Sequence, residues 1–157
     1  MELYQSYFEE NRISWNKRTA VHKDSVFYDL ASFKKGKSSL NKIELEELGD
    51  VKGKTLLHLQ CHFGMDTMSW EREGAIVTGV DISDEAVKLA KEIAGELKLN
   101  ARFICANLYD LTDSSKVPPL EGFKEAGFDI VFTSYGTIGW LPDLDKWAET
   151  VAYFLKP

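Results

Sequence analysis

Thr55-Leu-Leu-His-Leu-Gln-Cys-His-Phe-Gly-Met-Asp-Thr67, continued at Thr78-Gly-Val-Asp81-Ile-Ser83, is the most constraining part of this chain. An apolar run of strand length ends in a loop holding Gly64, and a helix-like pattern follows it. A second apolar run, Ala75-Ile-Val-Thr-Gly-Val80, then ends on a carboxylate. Strand, turn, helix, strand and terminal acid is the order of a nucleoside-binding βαβ unit. The acid at the end of the second strand suits a bidentate contact to ribose hydroxyls, and Asp81 lies 21 residues after Gln60. The layout predicts binding of an adenosine-containing cofactor.

The pattern extends in both directions. Ser83 can cap a helix whose stripe is Ala86, Leu89, Ala90, Ile93 and Leu97. The helix after Gly64 is expected to end at Gly74. A third strand is read over Ala101–Ala106 and a fourth over Phe128–Thr133, separated by a polar passage containing Pro118-Pro119. Asp143 then caps a helix expected to pack through Leu144, Trp147, Val151, Phe154 and Leu155. Upstream, residues 1–30 read as an aromatic-rich helical segment. A linker lies around Gly36-Lys-Ser-Ser39, and a short helix over Leu40–Leu48 would place Leu40, Ile43 and Leu48 near one face. Alternating strands and helices with short connections predict a doubly wound parallel sheet.

The glycines separate two kinds of nucleoside site. A dinucleotide fingerprint needs three glycines at fixed offsets, and only Gly64 stands in this loop. Leu57-His-Leu-Gln-Cys-His-Phe-Gly64 resembles instead the first motif of class I S-adenosylmethionine-dependent methyltransferases. That motif carries an acid where this chain has His58, and glycines where it has Gln60 and His62. A residue with a Cβ is expected to narrow the loop or shift it. The resemblance runs from about Thr55 to the last residue. It implies a Rossmann-like domain over residues 55–157, preceded by a helical lid over residues 1–54. In that family Leu-Lys-Pro is followed by three more strands, so ending at Lys156-Pro157 predicts a fragment without them. The fourth strand would then be an unpaired edge, open to homodimerisation.

Composition limits the partners. With 157 residues, 44% hydrophobic and 28% charged, the chain can bury a sizeable core as one domain. Its net charge of −6 argues against nucleic acid. No apolar run approaches membrane-spanning length and no signal-peptide pattern opens the chain, so a cytoplasmic location is expected. Cys61 and Cys105 read as reduced thiols.

The resemblance assigns roles residue by residue. Asp81 would hold the ribose, with capping of the following helix as the competing role. Asn107 would accept from the adenine amino group, or would close an Asx turn, and Ile82 and Leu108 would sandwich the ring. Gln60 and Gly64 would line the methionine side, and Arg18 would fork onto its carboxylate. Asp66 reads as a helix-terminus charge or a ligand. Trp15, Tyr28, Tyr135 and Trp140 would shape the acceptor pocket. His22, Tyr135 and His62 are candidates for a base by residue type. His58, Cys61 and His62 do not make a convincing metal set, because strand alternation turns His58 away from the loop; His58 is expected to bond nearby backbone. The expected activity is methyl transfer from S-adenosylmethionine to a small molecule. A non-catalytic nucleoside-binding or assembly module and an NAD-dependent oxidoreductase are the alternatives.

Overall fold

The computed structural model describes residues 4–113, 115–117 and 127–157; Pro118-Pro119 lies outside them. Four strands form one parallel sheet: β1 (Thr55–Leu59), β2 (Ile76–Asp81), β3 (Arg102–Cys105) and β4 (Ile130–Thr133), in the order β3-β2-β1-β4. Leu56, Leu57 and Leu59 are wholly buried, as a central strand covered on both faces requires. Their alternation sorts the core. Leu57 and Leu59 pack with Val80, Phe128 and Phe154 on one face, while Leu56 packs with Trp70 and Val77 on the other. The opposed helices are α6 (Leu144–Phe154), which carries Phe154, and α4 (Met65–Arg72), which carries Trp70. The doubly wound architecture is as expected, with β4 at one border of the sheet.

The strands are held in register at their base by polar contacts. Asp129 Oδ2 accepts from both the backbone N–H and the hydroxyl of Thr55, at 2.7 and 2.8 Å, and Lys156 Nζ reaches Asp129 Oδ1 at 2.8 Å. These donors hold the Asp129 carboxyl well below the usual range. Phe128 and Leu155 form a parallel bridge that ties the end of α6 beside the start of β4.

The helix α5 (Asp84–Leu97) starts where Ser83 Oγ accepts from Ala86 N. It buries Ala86, Ala90 and Ile93 as read, together with Val87 and Ala94, while Leu89 and Leu97 sit at the margin. Gly79 on β2 lies so close to its neighbours that a Cβ would come 2.8 Å from both Cys61 Sγ and the Phe103 ring.

Three helices precede the sheet: α1 (Gln5–His22), α2 (Leu30–Lys34) and α3 (Lys42–Leu48). The expected helical run over residues 1–30 is therefore interrupted. Ser25 Oγ donates to His22 O and Asp29 turns left-handed at φ 46° before α2 begins. Only Phe8 and Thr19 of α1 are buried. The helix is docked mostly by polar groups. Asn16 Oδ1 accepts from Ser83 Oγ at 2.6 Å, Asn16 Nδ2 donates to Asp84 Oδ1 at 2.9 Å, and Arg12 pairs with the same Asp84 oxygen.

Several packing expectations are corrected. In α3, Ile43 is exposed, and the buried side chain is Glu44, which turns back to accept the Asn41 N–H in a capping box. Local capping outweighs the apolar stripe there, although Leu40 and Leu48 still pack on the core. In α6, Leu144 and Leu155, at the two ends of the helix, are also exposed. No described helix is long and apolar enough to cross a membrane.

Candidate functional site

A cavity of about 600 Å³ opens at the carboxyl ends of the strands. This is where an open α/β sheet places ligands, because successive βα loops leave a crevice there. Its lining draws on α1, the linker before β1, the loop after β1, the ends of β2 and β3, and the loop after β4.

The loop after β1 keeps a glycine-like path at two positions that are not glycine. Gln60 has φ 58° and His62 φ 53°, both left-handed, and Gly64 has φ 75°. The side chains stay and the strain is absorbed, on the order of 1–2 kcal/mol per residue. Two contacts hold the strained form: His62 N donates to Asp81 Oδ2 at 2.7 Å, and Gln60 Nε2 donates to Thr137 O at 3.2 Å. Gly64 has no substitute, since a Cβ there would stand 2.4 Å from the Phe103 ring.

Asp81 ends β2 inside the cavity and is 8% exposed. Its other oxygen accepts Ser83 N at 2.8 Å. Burial pushes its carboxyl up to about 6, against the pull of these backbone donors. Ile82 and Leu108 flank the same wall. Asn107 also lines it, and its Oδ1 accepts Tyr109 N at 3.2 Å, so the Asx turn is present.

Gln60, His62, Gly64, Trp15, Tyr28, Tyr135 and Trp140 line the cavity as well. Two expected residues do not. Arg18 is exposed and lays its guanidinium over Trp15 and Trp140, at 5.6 and 5.3 Å from the ring centroids, so it is not placed to grip a ligand carboxylate. His22 stands behind the lining, with Nδ1 3.1 Å from His62 Nε2. An aromatic group surrounds that pair: Trp15, Tyr28 and Phe63 have ring centroids 5.1, 5.5 and 4.4 Å from His62. Burial pushes His62 down to about 3, with His22 adding to the effect, and burial and Arg18 lower His22.

His58 is buried behind the loop, where burial takes its imidazole down to about 3. It does not bond backbone as expected. Its two nitrogens meet Thr67 Oγ1 at 2.8 Å and Ser134 Oγ at 3.4 Å, because a side chain in mid-strand points away from the chain's own amides. Among the described residues no group of three His, Cys, Asp or Glu side chains is placed to hold a metal ion.

Asp66 meets both of its expected settings, a helix terminus and the cavity wall. It lies in the first turn of α4, lines the cavity, and accepts from Ser39 Oγ at 2.6 Å. Burial pushes its carboxyl up to about 6. Its position after Gly64 was visible in the sequence; its enclosure by Ser39, 27 residues upstream, was not.

Residues 56–157 match a family model described as a methyltransferase domain. A ubiquinone biosynthesis O-methyltransferase of Coxiella burnetii is 29% identical over 113 residues, which cover 72% of this chain and 44% of that protein. One from Alkalilimnicola ehrlichii is 28% identical over 110 residues, or 70% and 40%. The chain thus spans less than half the length of these curated relatives. Among solved structures, the PH0226 protein of Pyrococcus horikoshii superposes with a TM-score of 0.63 at 24% identity, covering 87% of this chain and 53% of that one. A TehB-like SAM-dependent methyltransferase from Corynebacterium glutamicum does so with 0.62 at 17% identity, covering 89% and 66%. Both likenesses are of fold.

Proposed function

The chain belongs to the class I S-adenosylmethionine-dependent methyltransferase family, and from that premise we propose that its cavity holds S-adenosylmethionine beside a small-molecule methyl acceptor. The observation that carries this reading is Asp81: a buried carboxylate fixed at the end of β2 by two backbone N–H groups and facing a cavity. Each oxygen retains a lone pair for a ribose hydroxyl. Ile82 and Leu108 supply the apolar faces an adenine ring needs, and the Asn107 amide stands beside them. The Asp66 carboxylate suits the ammonium of the methionine portion, and Gln60 and Gly64 line that side. These residues fit the cofactor, which when bound supplies an electrophilic methyl group on a sulfonium.

The chain's own contribution is positioning and exclusion of water. Trp15 and Tyr28 come from residues 1–54, which act as a lid, and Tyr135 and Trp140 come from the segment after β4, with the Trp140 ring 5.3 Å from that of Trp15. Aligning nucleophile and methyl group in a dry site supplies much of the rate in such transfers. The relatives from Coxiella and Alkalilimnicola are O-methyltransferases, which makes a hydroxyl the first acceptor to try.

Calorimetric titration with S-adenosylhomocysteine tests the reading. Saturable binding is expected, weakened about a hundredfold or more in Asp81→Ala by loss of two charge-assisted bonds. A folded wild-type chain that does not bind would overturn it. Near-ultraviolet circular dichroism of the variant separates lost contacts from lost fold.

A further inference from the structure

Asp81 is tied to α1 through a single residue. Ser83 N donates to Asp81 Oδ1 at 2.8 Å, while Ser83 Oγ accepts from Ala86 N at 3.0 Å and so caps α5. A hydroxyl has one proton to give. Ser83 gives it to Asn16 Oδ1 at 2.6 Å, from a residue 67 positions earlier in the chain. Ser83 is wholly buried, so without Asn16 its O–H would be stranded for as long as α1 stayed docked.

The Asn16 amide can sit only one way round. Its oxygen also faces Glu85 N at 3.4 Å, and its nitrogen donates to Asp84 Oδ1 at 2.9 Å. A flipped amide would turn its oxygen toward the Asp84 carboxylate and its N–H groups toward two donors. Helical spacing then gives α1 two working stripes. Phe8, Asn11 and Trp15 line the cavity, whereas Arg12 and Asn16, four residues apart, grip the start of α5. On the cavity side Asn11 Nδ2 donates to Trp140 O at 3.2 Å. The helix thus bridges the cavity from the start of α5 to the turn after β4, and Asn16 itself stands outside the lining.

Resting on the reading of Asp81 as the ribose contact, we propose that Ser83 and Asn16 are positioning residues that join the docking of α1 to the Asp81 carboxylate, so that cofactor binding and closure of this helix are one coupled event. With α1 docked, Ser83 is held at its hydroxyl and its N–H, and the carboxylate stays aimed at the cavity. With α1 lifted, Ser83 Oγ turns to water, the turn over residues 81–84 loosens, and Asp81 loses one fixed donor. The effect is reciprocal by linkage: the factor by which undocking weakens the cofactor is the factor by which bound cofactor favours the docked helix.

The test titrates S-adenosylhomocysteine into wild type, Asn16→Ala and Arg12→Ala. The Kd should rise about fivefold or more in Asn16→Ala. It should stay within about twofold in Arg12→Ala, which loses a solvent-facing ion pair with Asp84 but leaves Ser83 alone. In the ligand-free protein, Asn16→Ala should speed amide exchange at Ser83 about fivefold or more. The His62 amide, on the other Asp81 oxygen, should stay within about twofold. Conversely, Asp81→Ala should speed exchange over residues 12–19 of α1 and leave α6 unchanged. An Asn16 that merely packs the helix would move exchange in α1 and leave both the Ser83 amide and the affinity alone. An Asn16→Ala affinity within twofold of wild type, an equal loss in Arg12→Ala, an unmoved Ser83 amide, or an α1 indifferent to Asp81→Ala would each overturn the proposal. If S-adenosylhomocysteine does not bind the wild type, the cofactor reading falls, and the two exchange measurements still decide whether α1 and Asp81 are joined.

Discussion

Replacing Asp66 by Asn should make the ligand-free protein more stable at neutral pH. Asp66 Oδ1 accepts from Ser39 Oγ, and an amide oxygen can keep that bond. What the substitution removes is a charge that burial disfavours. The carboxyl is raised from 3.8 to about 6, roughly two pH units, or about 3 kcal/mol of destabilisation when ionised. Against this, a carboxylate in the first turn of α4 gains about 0.3–1 kcal/mol from the helix dipole, which the amide forfeits. Burial wins, leaving a net gain of about 2 kcal/mol, or about 4–8 °C in Tm for a chain of this size. The sign with pH follows from the raised value. The folded chain holds this proton more tightly than the unfolded chain, so Asp66 contributes stability below pH 3.8 and loses it as the pH rises through about 6. Wild-type stability alone will hide this, because His58 and His62 are pushed down to about 3 and gain stability over much of the same interval. The difference between variant and wild type isolates Asp66. Urea unfolding of both proteins at pH 7.5 and pH 4 should show a gain of about 2 kcal/mol at the first and almost none at the second. A variant less stable than wild type at pH 7.5, or an equal gain at both, would refute the reasoning.

Gly64→Ala should lose about 2–4 kcal/mol, from left-handed strain at φ 75° and a Cβ 2.4 Å from the Phe103 ring; a urea midpoint within about 1 kcal/mol of wild type would contradict the packing. Cys105 is exposed, whereas Cys61 is buried with its thiol pushed well up by burial, so a disulfide reagent should titrate one thiol in the native protein and two in urea. Two equally fast thiols would place Cys61 elsewhere. Asn16→Ala removes the contacts from α1 to Ser83 and Asp84, and amide exchange in α1 should accelerate about fivefold or more; unchanged exchange would mean that Arg12 and Phe8 hold the helix unaided.

The βαβ core was legible because its signals are local. Leu56, Leu57 and Leu59 mark a buried strand, Ser83 is a cap, and Asp81 stands at a strand end, so the strand–helix–strand order could be read one residue at a time. The rest depends on contacts far apart in sequence. Whether Gln60 and His62 would bend the loop or strain it is decided by Thr137 and Asp81, neither of which adjoins them in the chain. Arg18 and His22 have residue types suited to a site, yet the path of α1 sets one over two tryptophans and the other behind His62. Ile43 followed a correct helical spacing to a wrong face, because Glu44 was needed for the cap.

The position of β4 beside β1 also has consequences for the order of assembly. Thr55 pairs with Ile76 across 21 residues, but meets Asp129 across 74. Closing the longer loop costs about 1 kcal/mol more chain entropy, so β1 and β2 should associate first and β4 should dock last. During that interval one flank of β1 carries unpaired amides and carbonyls. A growing or partly unfolded chain is therefore most vulnerable to mispairing at Leu56–Leu59, the segment that is best protected once folding is complete.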